Sequence, residues 1–289
     1  MTASPDLLRP HLRDLGAFTV RRVLPAHGRQ TVGPFIFFDH FGPVTLPPGE
    51  GMDVRPHPHI GLATVTFLFA GAILHRDSLG SVQRIAPGDV NWMTAGRGIV
   101  HSERSDPADR IAGMQLHGLQ TWVALPRALE DAAPAFTHVP GARLPRFEIG
   151  PASVIVAAGH AFGREAPTPT HSDTLYAAVE LPAGASLSVP ADHEERAVYA
   201  VEGDVDVDGV AVPEANMAVV TTPGPFVVHA RTAAKLMLVG GARLYGERFI
   251  WWNFVASSRE RIEAAKATWQ AQEFGQVPGE TEFIPLPDR

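Results

Sequence analysis

Short runs of β-branched and aromatic residues recur through the first half of the chain. Residues 19–24 mix apolar and polar positions, residues 35–38 are wholly apolar, and residues 64–69 combine threonine, valine, phenylalanine and leucine. Turn sequences that contain glycine interrupt the pattern, at residues 70–71, 77–80 and 87–89. Because these residue types favour strands and glycine turns end them, residues 55–126 are predicted to be strand nearly throughout.

The same pattern returns after a proline-rich connector, residues 127–150. Further strand-like runs follow, at residues 152–157, 175–180, 197–202 and 235–239. Two zones of similar length, with a strand about every 8 to 12 residues, predict an all-β chain of two sandwiches or barrels. We expect one domain over residues 1–130 and a second over 131–289, although the two halves are too different in sequence to prove a duplication.

The end of the chain has a helical pattern instead. Ser257 followed by Glu260 is a capping-box pattern, which predicts a helix over about residues 257–273. Three apolar residues fall on one face of that helix: Ile262, Ala265 and Trp269. This face predicts a structural helix that packs on one of the barrels.

Composition narrows the classes of function. The 289 residues are 45% hydrophobic and carry a net charge of −7, so a packed core is expected and direct contact with nucleic acid is not. The first twenty residues have no secretory apolar region, and no later window resembles a membrane span. We therefore expect a soluble cytoplasmic protein. The oligomeric state is not indicated.

Cysteine is absent, whereas histidine occurs thirteen times. Disulfides, thiolate metal ligands and a cysteine nucleophile are thereby excluded. A transition metal in this chain would need histidine and carboxylate ligands.

Two matched pairs of such residues stand out: His57 with His59, and His101 with Glu103. Side chains at positions i and i+2 of a strand project from the same face, so each pair can direct two ligands to one point. The separation of 42 positions from His59 to His101 leaves room for several antiparallel strands to bring the pairs together. Three imidazoles and one carboxylate suit Fe, Mn, Ni, Cu or Zn.

Other histidines invite weaker interpretations. His75 and Asp77 are also two apart, but the sequence after them reads as a turn, and a role as outer hydrogen-bond partners of the metal ligands is expected. In the second half the histidines are scattered. His193 beside Glu194 and Glu195 suggests a second metal site, but a lone histidine next to acids is more typical of solvated surface. The second domain is therefore expected to be free of metal.

A family resemblance covers about fifty residues closely and the whole chain more loosely. The positions in register are the two pairs together with Pro56, Gly61, Gly71, His75, Asp77, Gly80, Gly88, Trp92, Gly96 and Gly98. This set resembles the signature of the pirin family, which belongs to the cupin superfamily. The resemblance extends to residues 32–35 and 247–254.

The resemblance implies two tandem cupin (jelly-roll-like) β-barrels with a C-terminal helical tail. It also implies one mononuclear metal in the first barrel, bound by His57, His59, His101 and Glu103. The general cupin pattern has a glutamate shortly after the two histidines, a region that Thr64 occupies here. In the pirin arrangement the carboxylate comes from Glu103 instead. The usual pirin metal is iron, so Fe(II) is expected, with Mn, Ni, Cu and Zn left open.

Pirin-family members include quercetin 2,3-dioxygenases, which open the flavonol ring with dioxygen and release carbon monoxide. The resemblance therefore implies a flavonol and dioxygen as reactants, with Glu103 as the catalytic base that takes the hydroxyl proton. An octahedral ion with four protein ligands keeps two positions open, whereas a tetrahedral zinc would be closed and structural. Phenylalanines between Phe35 and Phe41 are candidates for an apolar mouth.

Other pirins are regulators, which leaves a second function open. In that interpretation the chain is a redox-sensitive, non-enzymatic protein whose partner is a transcription factor or a metabolic enzyme. The acidic net charge permits contact with a protein. A sugar-processing or isomerase cupin is a third interpretation, which the close pirin register disfavours.

Overall fold

A computed structural model describes residues 4–14 and 19–287 of the chain. The strands are β1 Asp6–Leu8, β2 His11–Asp14, β3 Thr19–Leu24, β4 Phe35–Leu46, β5 Asp53–His59, β6 Leu62–Ala70, β7 Ile73–Asp77, β8 Val82–Ile85, β9 Val90–Thr94, β10 Ile99–Arg104, β11 Met114–Ala124, β12 Ala135–Val139, β13 Arg146–Ile149, β14 Ala152–Ala161, β15 Arg164–Glu165, β16 Thr174–Leu181, β17 Ser186–Val189, β18 Glu195–Glu202, β19 Val205–Val207, β20 Val210–Val212, β21 Met217–Val220, β22 Phe226–Ala230, β23 Ala234–Gly241, β24 Phe249–Trp251 and β25 Phe254–Ala256. The α-helices are α1 Pro107–Ala112 and α2 Arg259–Gln270, and short 3-10 turns cover Arg127–Leu129 and Gly141–Arg143. The all-β prediction with one C-terminal helix is confirmed.

The described residues pack into two compact units. The main segments of the first unit are residues 41–138 and 245–287, and those of the second unit are residues 4–13, 20–40 and 139–244. The predicted division into residues 1–130 and 131–289 is sequential, whereas these units interleave along the chain. Residues 1–3, 15–18, 288 and 289 of the predicted domains lie outside the described residues.

The first unit contains two larger antiparallel sheets and the two-stranded antiparallel pair β24-β25. One has the order β12-β9-β6-β11, continued by the second half of β4, and the other has the order β5-β10-β7-β8. Strand β6 is the predicted apolar run of residues 64–69 with short extensions, and it pairs with β11 from Leu62↔Ala124 to Ala70↔His117. Leu62, Val65 and Leu68 are fully buried, which explains why the run is apolar at nearly every position.

The second unit repeats this plan. Its larger sheet has the order β1-β21-β18-β23-β16-β14-β13, and its smaller sheet has the order β17-β22-β19-β20. Strand β23 lies between β16 and β18 and is antiparallel to both, so β16 and β18 run parallel and begin at the same end of the sheet. Gly241 on β23 is the partner of both Thr174 and Glu195, the first residues of those two strands.

Helix α2 belongs to the first unit and begins slightly later than predicted. Its N-cap is Ser258, whose hydroxyl accepts from the backbone N–H of Arg261, while Ser257 donates to Glu130 at 2.7 Å. The predicted apolar face is confirmed. Ile262, Ala265 and Trp269 are buried in a cluster that also contains Ile60, Val100 and Phe254. Neither helix in residues 4–14 and 19–287 has the length and hydropathy to cross a membrane.

The segment after α2 ties this helix to the strand that carries His57. The indole N–H of Trp269 donates to the carbonyl of Ile284 at 3.0 Å. The backbone N–H of Ile284 donates in turn to the carbonyl of Pro56 at 2.8 Å. The C-terminal residues therefore support the edge of β5 next to the candidate ligands.

Candidate metal centre

Strands β5 and β10 bring three of the predicted ligands together. His101 on β10 pairs directly with His57 on β5, and His59 lies two residues further along β5 on the same face. One ring nitrogen from each of His57, His59 and His101 lies within 4.8 Å of the other two. The sequence prediction that the two pairs converge is therefore realised for these three residues, which can hold a metal ion.

The three imidazoles are enclosed by protein. His57, His59 and His101 are 6%, 2% and 1% exposed. Their ring centroids lie 4.4 Å apart for His57 and His101, and 5.0 Å apart for each of the other two pairs. Burial disfavours the charged form, and it lowers the pKa of His57 to about 4 and those of His59 and His101 well below the usual value. All three rings are thus neutral at pH 7, the form that binds metals.

Main-chain carbonyls fix the orientation of two of these rings. The Nδ1 atom of His57 lies 2.8 Å from the carbonyl of Arg55, and that of His59 lies 3.1 Å from the carbonyl of Asn253. A carbonyl oxygen only accepts, so both Nδ1 atoms carry the proton and donate it. Each neutral ring therefore keeps an unprotonated Nε2.

His101 is oriented by a chain of two side chains. Its Nδ1 lies 3.4 Å from Nδ1 of His75, whose Nε2 lies 3.0 Å from a carboxylate oxygen of Asp77. The Asp77 carboxylate accepts, so His75 donates from Nε2, and in the neutral form of this ring Nδ1 is unprotonated and faces His101. His101 then donates from Nδ1 and keeps its Nε2 lone pair. Asp77 is held by the backbone N–H groups of Leu79 and Ser81, at 2.9 and 3.0 Å.

These assignments leave unprotonated nitrogens facing one another. Nε2 of His59 lies 3.1 Å from Nε2 of His101, and neither atom carries a proton to share. Two lone pairs at this distance repel in a buried site unless a positive charge lies against them. A divalent ion bound by imidazole nitrogen supplies that charge, so the residues present fit a metal.

Glu103, the predicted fourth ligand, lies beside this group and outside the 4.8 Å set. It is 8% exposed, and burial raises the pKa of its carboxyl to about 7, although a hydrogen bond to Thr66 lowers it in part. Glu103 pairs with Val54, whereas His101 pairs with His57, so β5 has one extra residue over this stretch. Ligation by Glu103 stays a prediction.

Two further neighbours of the site were given no role in the sequence analysis. The carbonyl of Asn253 reaches His59 because β25, which follows it directly, runs against Gly61, where a Cβ would collide with the carbonyl of Val255. The indole of Trp122 stands edge-on to His59, with the ring centroids 5.1 Å apart. A main-chain acceptor 194 residues away in the sequence cannot be read from residue types.

Two of the candidates for the substrate mouth, Phe35 and Phe38, lie in the core of the second unit. Phe35 and Phe38 are fully buried and pack on Tyr176 and Tyr199, with ring centroids 5.3 and 4.6 Å apart, so they are core residues.

In the second unit, some of the histidines that are scattered in the sequence come together in the structure. His160, Asp173 and His193 bring their ligand atoms within 4.8 Å of one another, which runs against the expectation of a domain without a ligand set.

Comparison with known proteins identifies the family. A sequence profile described as Pirin matches residues 17–123, and the Pirin C-terminal cupin domain matches residues 176–275. A pirin-like protein of Caulobacter vibrioides is 48% identical over 281 residues, which cover 96% of this chain and 96% of that protein. A Pseudomonas aeruginosa protein provisionally named a quercetin 2,3-dioxygenase is 40% identical over 257 residues, 88% of this chain and 80% of the relative.

A solved structure extends the likeness to the whole fold. The crystal structure of a quercetin 2,3-dioxygenase from Acinetobacter baumannii has a TM-score of 0.90 and 32% identity, and the match covers 99% of this chain and 97% of that one. The prediction of two cupin domains is confirmed. With three converging histidines in the first unit and these relatives, the chain belongs to the pirin family.

Proposed function

We propose that the chain is a quercetin (flavonol) 2,3-dioxygenase that uses dioxygen and one divalent transition metal per chain, Fe(II) in the native protein. The single observation that carries this proposal is the convergence of three buried, neutral imidazoles, two of which face each other through Nε2 at 3.1 Å. A donor set of imidazole nitrogens with a nearby carboxylate is typical of non-haem iron and its neighbours in the first transition row.

His57, His59 and His101 would hold the ion, with Glu103 as the expected fourth ligand. When bound there, the metal supplies Lewis-acid and redox chemistry to a substrate oxygen and to dioxygen. The carbonyls of Arg55 and Asn253, together with His75, keep the three rings in the tautomer that presents Nε2. The burial of the rings excludes bulk water from the ligand atoms.

Glu103 supports the proton transfer that the proposed reaction requires. In the metal-free protein, burial raises the pKa of this carboxyl to about 7, and the carboxylate form is the one that can accept the proton of the flavonol 3-hydroxyl. The buried position keeps that proton near the site, where the carboxyl can return it.

The relatives support the substrate class. The Acinetobacter structure is described as a quercetin 2,3-dioxygenase, and the Pseudomonas protein has the same activity in its provisional name. Both matches cover most of this chain, including the segments that carry the three histidines and Asn253.

The experiment is a turnover assay with chelator-treated protein reloaded with Fe(II) under argon. Dioxygen uptake and carbon monoxide release are followed after addition of quercetin. The proposal predicts equal amounts of the two gases in the wild-type protein and at least a hundredfold slower reaction in His59→Gln. His138→Gln is the matched control, since His138 is a partly buried histidine of the first unit that bonds Asn91 instead of the metal group.

Two results would overturn the proposal. One is fully loaded protein that consumes no flavonol, which would favour the non-enzymatic regulator with a protein partner. The other is His59→Gln protein that loses its metal yet turns over quercetin at the wild-type rate.

A further inference from the structure

We propose that His160, Asp173 and His193 form a second metal site in the second unit, for a divalent ion of the late first transition row such as Zn(II). The inference does not depend on the proposed dioxygenase function. It rests on the position of three side chains that lie far apart in the sequence and on the hydrogen bonds that hold them.

The sheet of the second unit brings these residues to one end. His160 is near the end of β14, Asp173 comes directly before β16, and His193 comes two residues before β18. Strand β14 is antiparallel to β16, with Gly159 paired to Leu175, so the end of β14 lies beside the beginning of β16. Strands β16 and β18 also begin at the same end, because β23 between them is antiparallel to both.

Two glycines at the end of β23 allow the close approach. A Cβ on Gly240 would collide with the carbonyl of Glu195, and one on Gly241 would collide with the carbonyl of Asp173. With no side chain at either position, His193 reaches across the end of β23 to Asp173 on the far side. The Gly240-Gly241 sequence therefore allows the backbone to pack closely at this cluster.

The Asp173 carboxylate lies between the two imidazoles. Its oxygens lie 2.9 and 3.1 Å from Nδ1 of His193, and one of them is also 2.9 Å from Nε2 of His160. The centroids of the two imidazole rings are 4.2 Å apart. An ion about 2.0–2.2 Å from each donor places neighbouring donors about 3 Å apart, so the spacing already suits a metal.

The tautomer of His193 is the one that a metal needs. Its Nε2 lies 3.0 Å from the carbonyl of His160, which only accepts, so Nε2 carries a proton and donates it. In the neutral ring Nδ1 is then unprotonated and faces a carboxylate that also only accepts. Either a second proton on Nδ1 or a metal ion must lie between them. The ion takes the place of that proton, which leaves to solvent.

The three side chains differ in exposure in a way that suits a metal site that is open to solvent on one side. The His193 side chain is 3% exposed, so it is held rigidly, and a main-chain carbonyl fixes its second nitrogen as in many metal-binding histidines. The side chains of His160 and Asp173 are 44% and 35% exposed, which gives an ion access and leaves positions for water. Two imidazoles and one carboxylate prefer zinc, nickel or copper over magnesium or calcium.

The test is a Zn(II) titration of the full chain, monitored by equilibrium dialysis after treatment with a chelator. Wild-type protein is expected to bind two equivalents, and Asp173→Asn or His160→Gln to bind one. The His57→Gln/His59→Gln double variant keeps one equivalent, and Asp173→Asn added to it leaves none. His229→Gln is the matched control, because His229 is a histidine of the same unit that contacts Ser186 instead of this group, and it keeps both.

The proposal is overturned if Asp173→Asn and His160→Gln bind as much Zn(II) as the wild type, since the cluster would then be a hydrogen-bonded structure alone. Because the side chain of His160 is half-exposed, His160→Gln tests the site even if another variant fails to fold. Wild-type protein with one equivalent that Asp173→Asn removes would support this site while refuting the three-histidine centre. The two proposals can therefore fail separately.

Discussion

Nε2 of His59 lies 3.1 Å from Nε2 of His101, and the other nitrogen of each ring is committed to a hydrogen bond that it donates. Strand pairing alone would bring the rings close, but the outer acceptors decide which nitrogen faces inward. The Asn253 carbonyl and His75 select the same tautomer in both rings. The hydrogen bonds of the metal-free protein therefore already orient both Nε2 atoms for binding a cation.

The contact between His75 and His101 is expected to tune metal affinity. In the wild type the ring of His75 stacks on Phe136, with the ring centroids 4.2 Å apart. The substitution His75→Phe can keep this stacking, but it removes the atom that accepts the hydrogen bond from Nδ1–H of His101. Loss of such an outer partner weakens metal binding by about 10–100-fold. Competition with a chromophoric chelator measures the change.

The control for this variant is His138→Phe, which alters a histidine outside the chain of contacts that ends on His101. If both variants bind the metal as tightly as the wild type, His75 does not position the ligand.

Glu103 can be tested as a ligand by counting protons. Burial raises the pKa of its carboxyl to about 7, so at pH 6 roughly nine-tenths of the carboxyls are protonated. Ligation by the carboxylate would release nearly one proton per metal ion, while the three neutral imidazoles would release almost none. Calorimetric titration in two buffers of different ionisation enthalpy measures the release.

Asp173→Asn is the background for this experiment, because it removes the proposed second site. The addition of Glu103→Gln should reduce proton release to nearly zero. Equal release with and without Glu103→Gln would show that Glu103 is not a ligand.

The metal-free protein should lose stability as the pH falls from about 6.5 towards 4. The folded-state pKa of His57 is lowered to about 4, so in this range the unfolded chain binds a proton that the folded chain does not. His59 and His101 act in the same direction. Glu103 opposes them with one proton, because its raised pKa of about 7 favours folding at lower pH. Three protons outweigh one, so acid destabilises the fold.

Urea denaturation at several pH values measures this slope. In His57→Gln the slope of unfolding free energy against pH should be shallower by up to about 1.4 kcal/mol per pH unit. The same slope in His57→Gln and wild type would contradict the account.

Trp269 should be a main contributor to the stability of the first unit. It is 2% exposed, packs in the cluster under α2, and donates to the carbonyl of Ile284. Trp269→Ala is expected to cost about 3–5 kcal/mol of unfolding free energy because it leaves a large cavity. Gln270→Ala, at an exposed position of the same helix, should change stability by less than about 0.5 kcal/mol. A loss below about 1 kcal/mol for Trp269→Ala would show that the helix is not held by this face.

The sequence was sufficient to predict that the three histidines converge, because side chains in a strand point to the same face at every second residue. His57 and His59 needed only a regular strand, and His101 needed only a return strand in register. Glu103 was harder, because β5 has an extra residue near Pro56, which has no N–H for the ladder. Asn253 could not be foreseen, since its contribution is a main-chain carbonyl brought in by the packing of the C-terminal segment.

The group of His160, Asp173 and His193 shows a second limit. Its members have no shared spacing, and two of them lie in loops within two residues of the start of a strand. They meet because the strand order places β23 between β16 and β18, a relationship between distant segments. Local pattern therefore predicted the barrels and the first histidine group, while sheet order decided the second group and the interleaved units.

The most direct test of the three-histidine centre is metal content per chain in the Asp173→Asn background. After loading with Fe(II) under argon and removal of loosely bound ion, the account predicts about one equivalent in Asp173→Asn. It predicts less than about a tenth of an equivalent when His57→Gln and His59→Gln are both added, because only one of the three imidazoles then remains. One full equivalent in the protein with these added substitutions would contradict the account.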